Sequence, residues 1–500
     1  MTYTLTRPTG ELAATPEQVT IIDAARNTKD NLLINALAGA AKSTTLEFIC
    51  KYLPVAPILS LAFNKRIATE LASRLPGHVS CKTLNALGHQ IWGTAVGKRL
   101  TLQIDKDRQI FRNHVEQFPR REQSDWWECV TEINACLRYA STSGWLPAGV
   151  AEPYRGLISD EDFRDQIDYE VFDEPCPDWI FSYLRQHMKT RIEMAYAGII
   201  DFNDQLYMPT LFGGTFPRFP TVMVDEAQDL SRLNHQFLTK LVTQRLIAVG
   251  DPYQSIYGFR GAVSNGMANL RQRFSMTEFT LSYSFRCPRA VIRKAQSRVA
   301  HMRWPDWAPE GLVQFHPRDE PWLSTSIPDG AAIICRNNAP LFRTALNLIK
   351  LGRGVTLVGA DIGPGLVKLL RKLGPEGTPA EAVHGLIDKW EADGLAKARN
   401  KASIVDRAEC LRVFAEQGPT LAAAIAYAEV LFASAGPIQL MSGHKSKGLE
   451  FDVVYHLDPW RIPGKFATTQ EELDQEYNLL YVIETRTRRE LHMVNAEQLQ

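Results

Sequence analysis

The amino-acid sequence predicts an α/β protein with two parallel-sheet domains, each carrying a mainly helical insertion. Three observations predict it. Short apolar runs at 32–34, 58–61, 221–224 and 246–249 end in small or polar residues and lead towards helical patterns, as buried parallel strands do. The alternation stops over 93–197 and 360–436, where helical spacing alone remains. With 500 residues the chain has core enough for three or four domains. The expected layout is 1–92 with 198–276 as the first sheet domain and 93–197 as its insertion, then 277–359 with 437–500 as the second and 360–436 as its smaller insertion.

Composition narrows the partners. The 56 basic and 56 acidic side chains cancel, so no global field draws an anion and any nucleic-acid surface must be a local groove. Eight cysteines show no C-x-x-C pair and no histidines at zinc spacing, which reads as scattered thiols in a reducing compartment. Residues 1–26 lack a signal-peptide core and no apolar run reaches membrane-spanning length, so an intracellular protein without membrane contact is expected. There is no short repeat and no low-complexity tract.

Thr15 and Pro16 open a helix as N-cap and first turn, and bring in Gln18. Its amide both donates and accepts, as an adenine edge requires, although a plain first-turn residue is the simpler reading. The stretch 31–45, N-L-L-I-N-A-L-A-G-A-A-K-S-T-T, then passes from a strand through small residues to Lys42, Ser43 and a helical pattern. This order suits a nucleoside triphosphate. Backbone N–H groups of Ala38, Gly39, Ala40, Ala41 and Thr44 wrap the phosphates, Lys42 reaches the outer ones, and Ser43 ligates Mg²⁺. Ala36 and Ala41 stand where the usual spacing has glycine; if position 41 needs φ > 0, alanine costs on the order of 1 kcal/mol there.

Beyond 58–61, Phe63, Lys65 and Arg66 place an aromatic and two cations at a strand end, suited to stacking on a base beside a phosphate; core packing is the alternative for Phe63. Residues 81–88 offer another strand end and helix start. The insertion 93–197 holds Trp126, Trp127, Trp145 and Trp179. Its early part is basic (Lys98, Arg99, Lys106, Arg108, Arg112, Arg120, Arg121) and its later part acidic (Asp160, Glu161, Asp162, Asp165, Asp168, Glu170). These charges read as a solvated face, with DNA contact by the basic part as the alternative.

The run 221–224 ends in Asp225-Glu226-Ala227-Gln228-Asp229. Two carboxylates past an apolar strand supply a metal-binding acid and a base for a water nucleophile, and they are costly unless a cation or substrate offsets them. Capping of the helix from Ser231 is the alternative. The loop 250–262 gathers Gln254, Tyr257, Phe259 and Arg260 between glycines, suited to sensing a terminal phosphate on one side and stacking bases on the other. Later blocks are L-S-Y-S-F-R at 281–286, A-A-I-I-C-R-N at 331–337, a last strand at 356–359 before the second insertion, P-I-Q-L-M-S-G-H-K-S-K-G-L-E-F-D at 437–452, and E-Y-N-L-L-Y-V-I-E-T-R at 476–486. Within the second insertion, T-P-A-E at 378–381 reads as a capping box, and I-G-P-G at 362–365 as a plain turn with a faint likeness to a phosphate-gripping helical hairpin.

The order and spacing of these blocks resemble a superfamily 1 DNA helicase of the UvrD/Rep/PcrA type over about residues 15–494, apart from the insertions. Asn64-Lys65, Ser284-Phe285-Arg286 and the short 360–436 segment are closer to the F-box DNA helicases and small phage relatives. The resemblance implies two RecA-like domains with ATP between them. Gln18 and Phe285 then hold adenine, Lys42 and Ser43 hold phosphates with Mg²⁺, Asp225 orders the metal, Glu226 activates water, and Gln254 reports the γ-phosphate. Arg286 and Arg486 neutralise transition-state charge, and Glu450 belongs to the block that touches nucleotide. Single-stranded DNA is expected on Phe63, Asn64, Lys65, Thr83, Tyr257, Phe259, Arg260 and His444, stepped 3′ to 5′ by a monomer, with strand separation at duplex junctions in repair, recombination or replication. Ala41 departs from the family pattern, as do Leu84-Asn85 where relatives carry Phe-His, and Thr44 where some carry an arginine that packs on adenine. The chain ends soon after Arg486, so no appended nuclease is expected. An inactive nucleotide-gated DNA-binding scaffold, motivated by Ala41, and an RNA helicase are the rival readings.

Overall fold

The computed structural model describes residues 3–7, 10–172, 175–256, 266–359, 362–397 and 401–500. Its contacts divide the chain into one unit of Met1–Ala36 and Ala41–Leu281 and a second of Leu37–Ala40 and Ser282–Gln500.

The first unit is built on a six-stranded sheet in the order Thr277–Leu281, Leu32–Ala36, Val242–Gly250, Phe219–Val224, Ile58–Ala62, Val79–Thr83. Every neighbouring pair is parallel. The central runs are nearly all apolar because both faces are covered. Parallel strands share one carboxyl rim, so Ala36, Ala62, Thr83, Val224 and Gly250 all deliver their following loops to the same edge. The strand Thr277–Leu281 pairs with Leu32–Ala36, which carries this sheet past the expected limit at 276. An antiparallel hairpin of Thr4–Arg7 and Gly10–Ala13, not foreseen, adds a small cluster of Tyr3, Leu5, Ile22 and Phe48.

The first insertion is helical, as expected, with helices Lys106–Val115, Arg120–Glu128, Val130–Ser143, Asp160–Glu170 and Asp178–Tyr196. It has no core of its own. Ile133, Leu137, Trp145 and Leu184 join the same apolar cluster as Leu59, Val222 and Leu246 of the sheet. One expectation is corrected here. Lys106, counted in the basic face, is fully buried; its Nζ donates to Asp204 Oδ2 at 2.6 Å and to the carbonyls of Arg191 and Ile199. Arg191, also fully buried, donates to Asp204 Oδ1 at 2.8 Å and Asp201 Oδ1 at 3.0 Å. Burial is tolerable for these cations because carboxylates and carbonyls replace their water.

The second unit repeats the architecture with strands in the order Leu312–Phe315, Thr487–Val494, Phe451–Leu457, Ala332–Cys335, Ile438–Ser442, Val355–Leu357, again wholly parallel. Its insertion contributes Gly363–Leu373, Ala380–Lys397, Lys401–Ala415 and Leu421–Ala433. Asp406 ties this layer to the sheet, accepting from the Asn338 backbone N–H at 3.0 Å and from both Asn337 and Asn338 side chains. Gly363 starts a helix against Phe432, where a Cβ would lie 2.6 Å from the ring, so the plain-turn reading of 362–365 becomes a packed helix start. The capping box expected at Thr378 is also corrected: that hydroxyl donates to the Pro375 carbonyl at 2.6 Å and the helix begins at Ala380. Among the described residues no helix is long and apolar enough to cross a membrane.

Candidate active site

In the first unit, the helix Lys42–Tyr52 opens on Lys42 and Ser43, so the unpaired N–H groups of its first turn lie where a phosphate is expected. Ala41 immediately before it adopts φ 58° and ψ 41°, the left-handed conformation that favours glycine. The Lys42 ammonium stands 3.7 Å from Glu226 Oε1. Glu226 is itself left-handed, φ 54°, so the turn that ends Phe219–Val224 is strained at the residue expected to act as base.

A chain of hydrogen bonds fixes this carboxylate. Gln228 Nε2 donates to Glu226 Oε2 at 2.6 Å, while Gln228 Oε1 accepts from the Asp251 backbone N–H at 3.0 Å. Asp251 Oδ2 in turn accepts from Gln254 Nε2 at 2.7 Å. Gly250 makes the approach possible, since a Cβ there would sit 2.5 Å from Gln228 Oε1. The sequence motifs assign no role to Gln228 or Asp251; the signal is their place in two loops that follow adjacent strands. Asp225 is buried and accepts from the Glu226 backbone N–H. Burial and the Glu226 carboxylate push it up to about 7, against the pull of Lys42.

Gln18 completes a capping box with Thr15 and donates from Nε2 to Thr45 Oγ1 at 2.9 Å, tying the first helix to the one after the phosphate loop. An amide nitrogen with a second hydrogen can still meet a base. Thr44 accepts from Arg74 Nη2 at 3.2 Å, a guanidinium brought in from the helix Lys65–Arg74. No local pattern announced that contact.

The DNA-binding candidates of this unit lie on the carboxyl rim. Phe63 follows Ile58–Ala62 and is 47% exposed. Asn64 caps the next helix through Ile67 N–H, Lys65 begins it, and Thr83 caps Leu84–Val96 through Ala86 N–H. Asn85 donates to the Phe202 carbonyl and to Gln205, and the Phe202 ring beside it is about half exposed. Tyr257, Phe259 and Arg260 lie outside the described residues.

In the second unit, Arg286 is ion-paired with Glu450 and donates to the Thr485 carbonyl at 3.4 Å. Its Nε is buried and without a hydrogen-bond partner among the described residues. Arg486 is 1% exposed, donating to the carbonyls of Val482 at 2.9 Å and Leu449 at 3.2 Å. Burial, then the neighbouring Arg286, pull it down to about 10. The pair expected from the sequence thus divides into one guanidinium with solvent access and one locked in the interior. Ala38, Gly39 and Ala40 belong to this unit: the Ala38 N–H donates to Tyr481 Oη and the Phe285 N–H to the Gly39 carbonyl, both at 2.9 Å. His444 follows Ile438–Ser442 in the short helix Gly443–Ser446.

The residues present fit a hard divalent cation. Asp225 and Ser43 offer oxygen donors only, and a carboxylate so costly to ionise in the interior is one that a cation's charge offsets. No group of three or more His, Cys, Asp or Glu able to hold a metal occurs among the described residues, and a cation shared with substrate phosphates needs no such cage.

Comparison with known proteins bears on the same residues. The UvrD/REP helicase N-terminal domain family matches residues 191–275, and the UvrD-like helicase C-terminal domain family matches 422–498. The chain is similar to F-box DNA helicase protein 1 of Schizosaccharomyces pombe, 23% identical over 95% of this chain and 57% of that protein. It is similar to F-box DNA helicase 1 of Gallus gallus, 24% identical over 97% of this chain and 49% of that protein. DNA helicase II of Haemophilus influenzae is 22% identical over 54% of this chain and 38% of its own length. The chain spans about half the length of the first two relatives. The first match takes in Asp225, Glu226 and Gln254 and the second ends the other unit's sheet, so over these two segments the chain matches the N- and C-terminal domain families of UvrD-like helicases, in keeping with the superfamily 1 UvrD/Rep type.

Proposed function

We propose that this protein is an ATP-dependent DNA helicase that moves 3′ to 5′ along single-stranded DNA and separates strands at duplex junctions, in repair, recombination or replication. The observation that carries this reading is the connected set Lys42–Glu226–Gln228–Asp251–Gln254, which joins a candidate phosphate-binding cation, base and phosphate sensor through one ion pair and three hydrogen bonds. Lys42 and the helix N-terminus bind the triphosphate. Ser43 and Asp225 would hold Mg²⁺, which supplies charge to offset the phosphates when bound. Glu226, held by Gln228, accepts the proton of the attacking water, and Gln254 responds to the terminal phosphate. Arg286 neutralises charge developing on the transferred group, worth roughly 10³-fold or more in such enzymes. Arg486 was expected to share that role, and its guanidinium is committed to the carbonyls of Val482 and Leu449.

The DNA path uses Phe63, Asn64, Lys65, Thr83 and His444 with the loop bearing Tyr257, Phe259 and Arg260, an aromatic and cationic set of the kind that grips single strands. The protein acts as a monomer inside the cell. Glu226→Gln should lower DNA-stimulated phosphate release by about 10²- to 10⁴-fold. Parent-rate hydrolysis by that variant defeats the assignment. Unwinding of matched DNA and RNA duplexes with 3′ or 5′ tails tests substrate and direction, with the 3′-tailed DNA duplex expected to open.

A further inference from the structure

We propose that Trp307 is a base-stacking residue that, with Phe285, forms an aromatic clamp for the purine of the bound nucleotide. The inference deepens the reading of the chain as an ATP-driven helicase and rests on it. Trp307 is 68% exposed, the most exposed aromatic ring among the described residues. A single exposed apolar residue needs no explanation, so its position relative to Phe285 carries the argument. The two rings lie 26° from parallel with centroids 6.3 Å apart. A flat base between them makes two contacts of about 3.5 Å, about 7 Å in all against centroids 6.3 Å apart, so the rings must open by roughly 0.7 Å to admit one.

The pair is held in place by backbone pairing on both flanks. Ser284 N–H donates to the Arg303 carbonyl and Arg303 N–H to the Ser282 carbonyl, both at 2.9 Å. On the far side Arg289 and Ala290 N–H donate to the carbonyls of Pro309 and Glu310, also at 2.9 Å. Arg289 further holds the Asp306 carbonyl, and Pro305 and Pro309 stiffen the segment between. Trp307 is therefore set beside Phe285 before any ligand arrives.

The ligand is a mononucleotide rather than a base of a DNA strand because Phe285 is bonded to the phosphate loop. Its N–H donates to Gly39, and a Cβ on Gly39 would fall 2.7 Å from Arg286 Cβ and 2.6 Å from Ser284 Oγ. A base at this clamp lies next to a loop that binds phosphate.

The test measures binding of ATP, inorganic tripolyphosphate and a dT oligonucleotide to the full chain and to Trp307→Ala and Trp307→Phe. The clamp predicts that Trp307→Ala weakens ATP about tenfold or more. Tripolyphosphate and oligonucleotide binding should stay unchanged, and Trp307→Phe should recover most of the ATP affinity. Unchanged ATP binding by Trp307→Ala, or a loss confined to the oligonucleotide, overturns the clamp while leaving the helicase reading intact. Equal loss of ATP and tripolyphosphate also overturns it, since the side chain then acts on the fold. A parent chain that binds no ATP overturns both.

Discussion

The two sheet units share one architecture and use it differently. In the first, the residues of the candidate site are bonded to one another, and two of them, Ala41 and Glu226, are held in left-handed backbone conformations. In the second, the residues expected to face the triphosphate are guanidinium groups: Arg286 on an exposed carboxylate, Arg486 in the interior, and neither at a positive φ. Strain and preorganisation among these candidates are thus concentrated around Glu226, the proposed base.

Arginine replacement tests that contrast most strongly. Arg286→Ala should reduce kcat for ATP about 10³-fold while moving the urea unfolding free energy by about 1 kcal/mol or less. Arg486→Ala should instead lower stability by about 2–4 kcal/mol, since it opens a hole and leaves buried carbonyls unpaired. If both variants unfold like the parent, the division into an acting and a supporting arginine is wrong.

A pH titration of stability is the next test. Asp225 has its pKa raised to about 7 in the folded chain, so the folded state holds its proton more tightly than the unfolded state. Its contribution is favourable below the unfolded value of about 4 and is lost as pH rises through about 7. Asp225→Asn should remove that loss. Relative to the parent the variant gains roughly 4 kcal/mol between pH 4 and 8, while hydrolysis disappears. A flat difference across that range shows that the carboxylate is not penalised by burial. The smallest effect belongs to the backbone: Ala41→Gly should add about 1 kcal/mol to unfolding free energy by relieving φ 58°. Any loss of stability shows that the turn is not strained.

Much of this was legible in the sequence because buried parallel strands are short apolar runs, and 32–34, 58–61, 221–224 and 246–249 each lie inside an observed strand. The strand Thr277–Leu281 escaped because it lies at a sheet edge and exposes Thr277, Glu278 and Thr280; only its pairing with Leu32–Ala36 identifies it. The conditional cost at Ala41 was legible, but its φ was not, since a tetrahedral Cβ does not announce the conformation it must take. Lys106 looked like a surface charge because its partners Asp204 and Arg191 lie about 90 residues away in sequence. Gln228 and Asp251 lay in plain view, and only distance showed which atoms they hold.

The buried pair Lys106 and Arg191 has a consequence for anyone who would treat 93–197 as a cassette. Both cations lie within those limits, as does Asp107, 3.6 Å from Arg191, but Asp201 and Asp204 lie just beyond, and Asp204 is the carboxylate that holds Lys106. A transplant cut at 197 leaves Arg191 with Asp107 alone and takes from the buried Lys106 its carboxylate partner. A graft extended through Asp204 keeps them neutral, so the transferable piece is longer than its helices suggest.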